Sequence, residues 1–366
     1  MRVTDALLPR LAADFHVGLA TAAAVITGFS VAYGVMQLLF GPLGDRFGKL
    51  RVIAAAGGAA AVASAACFAA RGFDTLLYAR IAAGGFCACI IPLAMAWIGD
   101  VVPYEERQPV LARFLIGQIM GVAAGAAVGG FAAESVEWRW PFAALAAWLA
   151  IACAALAATS HRDAAPRATG SRFFHDLAGV LTAPWARVVV ATVFAEGMVV
   201  FGALAFVPTH LHFVRGMELA EAGMMLVPFG LGGVGFALVV RYAVRRLGET
   251  GLAVGGTLLL ASGLAVVALA PWAAMAPAGS LAAGFGFYML HNTLQTNATQ
   301  MAPSRRGAGM ALFASCYFLG QSAGVAAAGA AAQWLGTTPV LVAASLLVMP
   351  VGFTFARLRT RRAYGP

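Results

Sequence analysis

Three ionisable side chains stand where a water-soluble core would not place them. Arg80, Glu196 and His291 each lie within a long, mostly apolar stretch. A charge at the centre of a bilayer costs about 2.5–3.5 kcal/mol on insertion scales, so such groups are expected to pair or to act on ions and solutes. Glu196 is the acidic residue deep within a complete stretch, since Asp45, Asp74, Asp100, Glu134, Glu137, Glu218, Glu221 and Glu249 fall at ends or in loops. It can take up and release a proton. The alternatives for all three are a structural ion pair, Glu196 with Arg80 for instance, or a hydrogen-bonded packing residue. Tyr288, His291, Asn292 and Gln295 follow the i, i+3, i+4, i+7 spacing of one helical face. Ser30, Tyr33 and Gln37 are spaced similarly. A polar stripe in an apolar helix turns to protein or water, either binding a solute by hydrogen bonds or locking two helices together. Aromatic residues (Trp97, Phe194, Phe201, Tyr288) suit amphiphiles, and the amides suit sugars.

Bond-breaking chemistry finds little support. His210 and His212 are two apart with no third ligand, and no HExxH, GxSxG or P-loop pattern occurs. The five cysteines (Cys67, Cys87, Cys89, Cys153, Cys316) fall inside apolar stretches and form no CxxC pair. No catalytic residue, metal or cofactor is expected. An intramembrane hydrolase stands as the alternative from a different class.

The elements that must position these residues follow from composition. Of 366 residues 61% are hydrophobic and 11% charged, against about 25% charged in a soluble domain. Apolar runs long enough to cross about 30 Å of hydrocarbon alternate with short charged segments. This is the pattern of an all-α polytopic membrane protein. Eleven spans are read, starting near Gly18, Val52, Leu76, Leu111, Trp140, Val188, Leu219, Thr250, Ala273, Gly307 and Thr338. The net charge of +9 forms no stripe for nucleic acid. The basic residues gather in alternate loops: at 46–51, 107–113, 162–187, 241–246, 305–306 and 357–362. By the positive-inside rule those loops and the C-terminus are cytoplasmic. The charged, proline- and glycine-containing segment 160–186 divides an N-terminal bundle (1–159) from a C-terminal one (187–366).

The halves repeat. Gly117-Gln118-Ile-Met-Gly121-Val-Ala-Ala recurs as Gly320-Gln321-Ser-Ala-Gly324-Val-Ala-Ala, and Arg46-Phe47-Gly48 as Arg246-Leu247-Gly248, at offsets near 200. Gln118 and Gln321 thus take symmetric places beside glycines, where interhelical bonding is expected. Leu8-Pro9-Arg-Leu11 aligns with Val207-Pro208-Thr-His-Leu211. Parallel repeats of six spans are a transporter architecture. The second half holds six spans and the first five complete ones, so the sequence implies a twelfth helix whose beginning precedes Met1. The alternative is an eleven-span protein with a polar stub.

Gly41-Pro-Leu-Gly44-Asp45-Arg46-Phe47-Gly48-Lys49-Leu-Arg51 joins the first two full spans. It needs its glycines for a tight reversal, and Asp45 can face the positive end of a helix dipole. This segment resembles the signature G-x-L-x-D-R-x-G-R-K of the major facilitator superfamily. Lys49 and Leu50 stand at its two basic positions. Arg80-Ile-Ala-Ala-Gly84 resembles the family's R-x-x-x-G segment in the fourth helix. Gly121-Val-Ala-Ala-Gly125-Ala126-Ala-Val-Gly129-Gly130 resembles the antiporter motif G-x-x-x-G-P-x-x-G-G, with Ala126 in place of proline. The plain reading of Gly117, Gly121, Gly125 and Gly129 is close helix packing.

The resemblance implies two six-helix bundles with helices one, four, seven and ten around a central cavity. Arg80, Glu196 and His291 then fall on helices four, seven and ten, with Tyr288, Asn292, Gln295, Tyr33 and Gln37 as further cavity candidates. It further implies that Gly41, Gly44, Asp45, Arg46, Gly48 and Lys49 form a latch on the cytoplasmic side of the outward-open state. The expected function is secondary transport of a small molecule across the inner membrane by alternating access, as proton-coupled efflux of drugs or metabolites by a monomer in membrane lipid. Uptake of sugars or metabolites, facilitated transport and a non-transporting truncated form are the alternatives.

Overall fold

In lipid every backbone polar group must be satisfied within the segment, so long apolar runs become helices. The computed structural model describes residues 3–103, 106–134, 137–159 and 173–364. The first half contains α1 (Val3–Asp14), α2 (Leu19–Phe47), α3 (Lys49–Ala69), α4 (Phe73–Cys87), α5 (Ile90–Val101), α6 (Arg107–Glu134) and α7 (Trp140–Thr159). A short connecting helix, α8 (Phe173–Val180), follows; the preceding part of the inter-bundle segment, 160–172, lies outside the described residues. The second half contains α9 (Pro184–Glu196), a π-turn (Gly197–Phe201), α10 (Gly202–Leu204), α11 (Val207–Arg215), α12 (Leu219–Met224), α13 (Val227–Leu269), α14 (Ala276–Gln300), α15 (Arg306–Leu335) and α16 (Thr337–Tyr364).

Nine helical stretches among the described residues are long and apolar enough to span a membrane, where eleven are read from the sequence. The difference has two causes. The stretch Leu219–Leu269 is continuous over 51 residues, about 76 Å at 1.5 Å per residue, more than twice the hydrocarbon thickness of about 30 Å. It breaks at Gly248, where φ is 62° and ψ 175°, making two crossings of one run. The helix α6 is 28 residues long, and Met120–Glu134 is the part of it whose residues are all described, a shorter apolar helix on its own.

The repeat is visible in the backbone. Gly48 and Gly248 both have positive φ, at 95° and 62°, and so do His16 and Gly216, at 53° and 67°. The offset of 200 therefore places the same left-handed reversals in both halves, which glycine adopts without a Cβ penalty and His16 adopts against it.

The halves meet along two seams. On one, α2 runs against α15: Ser322 Oγ donates to the Thr27 carbonyl at 3.1 Å and Ser315 Oγ to that of Gly34 at 2.5 Å. On the other, Gly130 of α6 abuts the backbone of Leu219 and Gly223, and the Ala220 amide donates to Glu134 at 2.8 Å. A buried cluster at the arginine-poor end draws on both halves, joining Leu7, Leu11 and Trp138 to Phe206, Val325 and Val340. A Cβ at Gly117 or Gly121 would meet open space, so the close packing expected at these two is not made among the described residues. Gly129, three turns further along, rests on the Val3 backbone, and Gly125 is half-buried. Gln118 is likewise exposed, whereas its counterpart Gln321 is buried.

Candidate functional site

Glu196 is the last residue of α9 and is fully buried. Three glycines let α15 approach α9 and its π-turn at backbone distance. Gly320 packs on the Phe194 carbonyl, Gly324 on that of Met198, and Gly197 on that of Tyr317. The π-turn begins at the next residue, Gly197. Such a one-turn widening of a helix is frequent at functional sites. Across from it, His291 of α14 shares a hydrogen bond between Nδ1 and Glu196 Oε2 at 2.7 Å. Glu196 Oε1 is buried without a hydrogen-bond partner among the described residues. The His291 ring lies among aromatic rings: Phe287 stacks at 5.1 Å, Tyr317 is at 4.9 Å and Phe313 at 5.7 Å between centroids. Its side chain keeps 18% of its surface exposed while Glu196 keeps none.

Arg80, seven residues into α4, has its own set of partners in the first half. Its Nη2 donates to Thr4 Oγ1 over a long 3.5 Å, and its Cζ lies 4.3 Å from the Phe29 ring and 5.8 Å from that of Phe142. Gly84, one turn on, sits against the Phe29 backbone, which brings α2 and α4 together at this level. Asp5, itself 1% exposed, is close enough for its charge to act on the guanidinium. Arg80 and Glu196 thus have separate partners in separate halves, and the ion pair between them left open by the sequence is replaced by Glu196 with His291.

An aromatic chain bridges the two. From His291 it passes to Tyr317 at 4.9 Å, Phe318 at 5.2 Å, Tyr33 at 4.3 Å and Phe29 at 6.1 Å, ending under Arg80. The Phe318 to Tyr33 step crosses from α15 to α2, between the halves. Of the polar stripe on α14, Tyr288 is half-buried against Phe229 and Phe287, while Asn292 and Gln295 are exposed toward the arginine-rich end. On α2, Tyr33 and Gln37 are buried, and Gln37 Oε1 has no hydrogen-bond partner among the described residues.

At the arginine-rich end Lys49 Nζ lies 2.5 Å from Asp100 and 3.4 Å from Asp45, tying the α2–α3 reversal to the end of α5. Gly44 packs under Leu93, Gly41 faces Phe173 of α8, and Arg46 is exposed with its Cζ 5.1 Å from the Phe47 ring. Two hundred residues on, the charge is reversed: Glu249 accepts from Arg359 at 2.7 Å and from Asn297 at 3.0 Å. Asp176 of α8 holds Arg305 at 3.2 Å.

Among the described residues no group of three or more potential ligands gathers around a metal position. His210 and His212 turn to different partners, Thr337 Oγ1 and the Met217 carbonyl. Asp5-Ala-Leu-Leu-Pro9 reads in the sequence as the end of the first helix, with no site role for Asp5, and Tyr317, Phe318 and the π-turn carry no signal of their own. Asp5 was readable as an acid beside apolar residues; the adjacent aromatics were readable only as core.

The Major Facilitator Superfamily family model matches residues 1–325. An uncharacterized MFS-type transporter of Mycobacterium tuberculosis is 31% identical over 37% of this chain, which spans 23% of that relative's length. The puromycin resistance protein of Streptomyces alboniger is 27% identical over 92% of this chain and 81% of its own. Among solved structures, a nucleoside transporter, NupG, superposes with a TM-score of 0.77 at 13% identity, covering 98% of each chain.

Proposed function

This chain belongs to the major facilitator superfamily of membrane transporters, and on that premise we propose that it exports a small molecule across the inner membrane in exchange for protons. The observation that carries the proton reading is the Glu196–His291 hydrogen bond at 2.7 Å, buried in the second half at the level where the halves meet. A carboxylate bonded through one oxygen and unpartnered at the other can accept a proton, and the imidazole beside it reaches the solvent-exposed side. The pair can therefore pass a proton between the cavity and a group the cavity does not touch.

The bundles meet at the arginine-poor end through a cluster drawn from both. Rocking them about the belt at Tyr33 and Phe318 would expose the site to each side in turn. The arginine-rich loops are the cytoplasmic ones by the positive-inside rule, and the protein works as a monomer. Efflux is favoured by resemblance to a puromycin resistance protein. A second reading, uptake or uniport, is favoured by Ala126 in the antiporter-like segment. In the latch segment, Lys49 bridging Asp45 and Asp100 supports a role in holding helices at the cytoplasmic side.

The test is reconstitution into proteoliposomes with radiolabelled puromycin and chloramphenicol, with and without an imposed pH gradient. Proton exchange predicts movement against the solute gradient only when the pH gradient is present. Equal rates in both conditions contradict proton coupling and leave uniport.

A further inference from the structure

Among the described residues, the charged groups buried within the helices present almost no surface to a solute. Glu196 has no exposed surface and is bonded to His291; Asp5 is 1% and Arg80 3% exposed, near each other in the first half. A solute with a fixed charge would shed its hydration while Glu196, Asp5 and Arg80 stay out of its reach, at a cost that aromatic contact recovers only in part. What the described residues do offer at this level is different. Tyr317, Phe318 and His291 are partly exposed rings in one continuous belt, joined to Tyr33 at 4.3 Å from Phe318. Gln37, one helical turn beyond Tyr33, is 8% exposed, and its buried acceptor Oε1 has no hydrogen-bond partner among the described residues. The amides of Asn292 and Gln295 are exposed along α14.

From this we propose that the transported solute is neutral, carries a planar aromatic ring and bears at least one hydrogen-bond donor. The ring stacks on the Phe318–Tyr317 edge of the belt, and the Gln37 side chain turns outward so that its Oε1, unpartnered in this structure, accepts from the solute's donor. This deepens the transport reading above and rests on it. Stacking tolerates any planar ring, so selection falls on planarity, neutrality and the donor rather than on one compound.

The experiment is scintillation-proximity binding to the purified full chain in detergent, using tritiated chloramphenicol, a neutral ring with amide and hydroxyl donors, and tritiated tetraphenylphosphonium, a permanent non-planar cation. Chloramphenicol is expected to bind more tightly than tetraphenylphosphonium. Phe318→Leu should weaken it about tenfold, Phe318→Trp should restore it, and Gln37→Leu should weaken it about five- to tenfold. Monodisperse elution of each variant confirms that it is folded, and the Phe318→Trp rescue separates stacking from a packing defect. Tighter binding of tetraphenylphosphonium, no binding of chloramphenicol, or binding unchanged in Phe318→Leu overturns the proposal. None of these outcomes touches the transport reading, which the pH-gradient assay decides separately.

Discussion

At the residue scale, Glu196 and His291 divide a task between a group that is sealed from solvent and one that is not. Removing the imidazole leaves a buried carboxylate with neither oxygen bonded, and an unsatisfied buried group of this kind costs about 1–3 kcal/mol or more. His291→Phe, which keeps a ring among Phe287, Phe313 and Tyr317, should therefore lower the unfolding temperature and abolish pH-driven transport. Wild-type stability and transport in this variant would show that the pair does not matter. Asp45→Asn takes one of the two acid neighbours from Lys49 and leaves Asp100 at 2.5 Å. Folding and membrane insertion should survive, while transport falls through a shift of about 0.3–2 kcal/mol between conformations; normal transport by a well-expressed variant would remove Asp45 from the latch. Glu196, His291 and Arg80 were legible in the sequence because a charge among apolar residues needs a reason. Their partners were not, because residues 196 and 291 meet only once α9 and α14 are rotated into place, and nothing local encodes that rotation. Asp5 was legible as part of a helix end, but its approach to Arg80 was not, because it depends on how α1 packs against α4.

At the scale of elements, glycines in the two halves look alike in sequence and behave differently in the fold. Gly324 lies on the Met198 carbonyl, whereas a Cβ at its sequence counterpart Gly121 would meet open space. Gly324→Ala should push α15 off the π-turn and cost about 1–3 kcal/mol, while Gly121→Ala should change stability by no more than about 0.5 kcal/mol. Thermal unfolding followed by a maleimide dye on the buried cysteines compares the two directly. Equal effects would mean that backbone approach at α15 is not what holds the pair Glu196 and His291 in place. Apolar length was enough to read an all-helical membrane fold. The number of separate helices was not, since the reversal at Gly248 depends on one residue's φ and the π-turn on how α9 meets α15.

The whole molecule is held together at its arginine-poor end, where α2 meets α15 and α6 meets α12. A Cβ at Gly329 would lie 3.2 Å from that of Ala23, close to the separation a disulfide spans. Oxidising the Ala23→Cys, Gly329→Cys double variant should lock this seam and stop transport, and reductant should restore it; transport that continues when the link is complete, measured by loss of maleimide labelling, would show that the seam need not open. The two-bundle architecture was legible from the repeat at an offset of 200, because the same reversal recurs at Gly48 and Gly248. Which end is closed was not, because it is a property of contacts between halves. Proton coupling through Glu196 is open to one direct measurement. In proteoliposomes, Glu196→Gln should lose all pH-gradient-driven movement of the solute while counterflow without a gradient persists. Continued pH-driven accumulation at the wild-type rate would contradict the assignment.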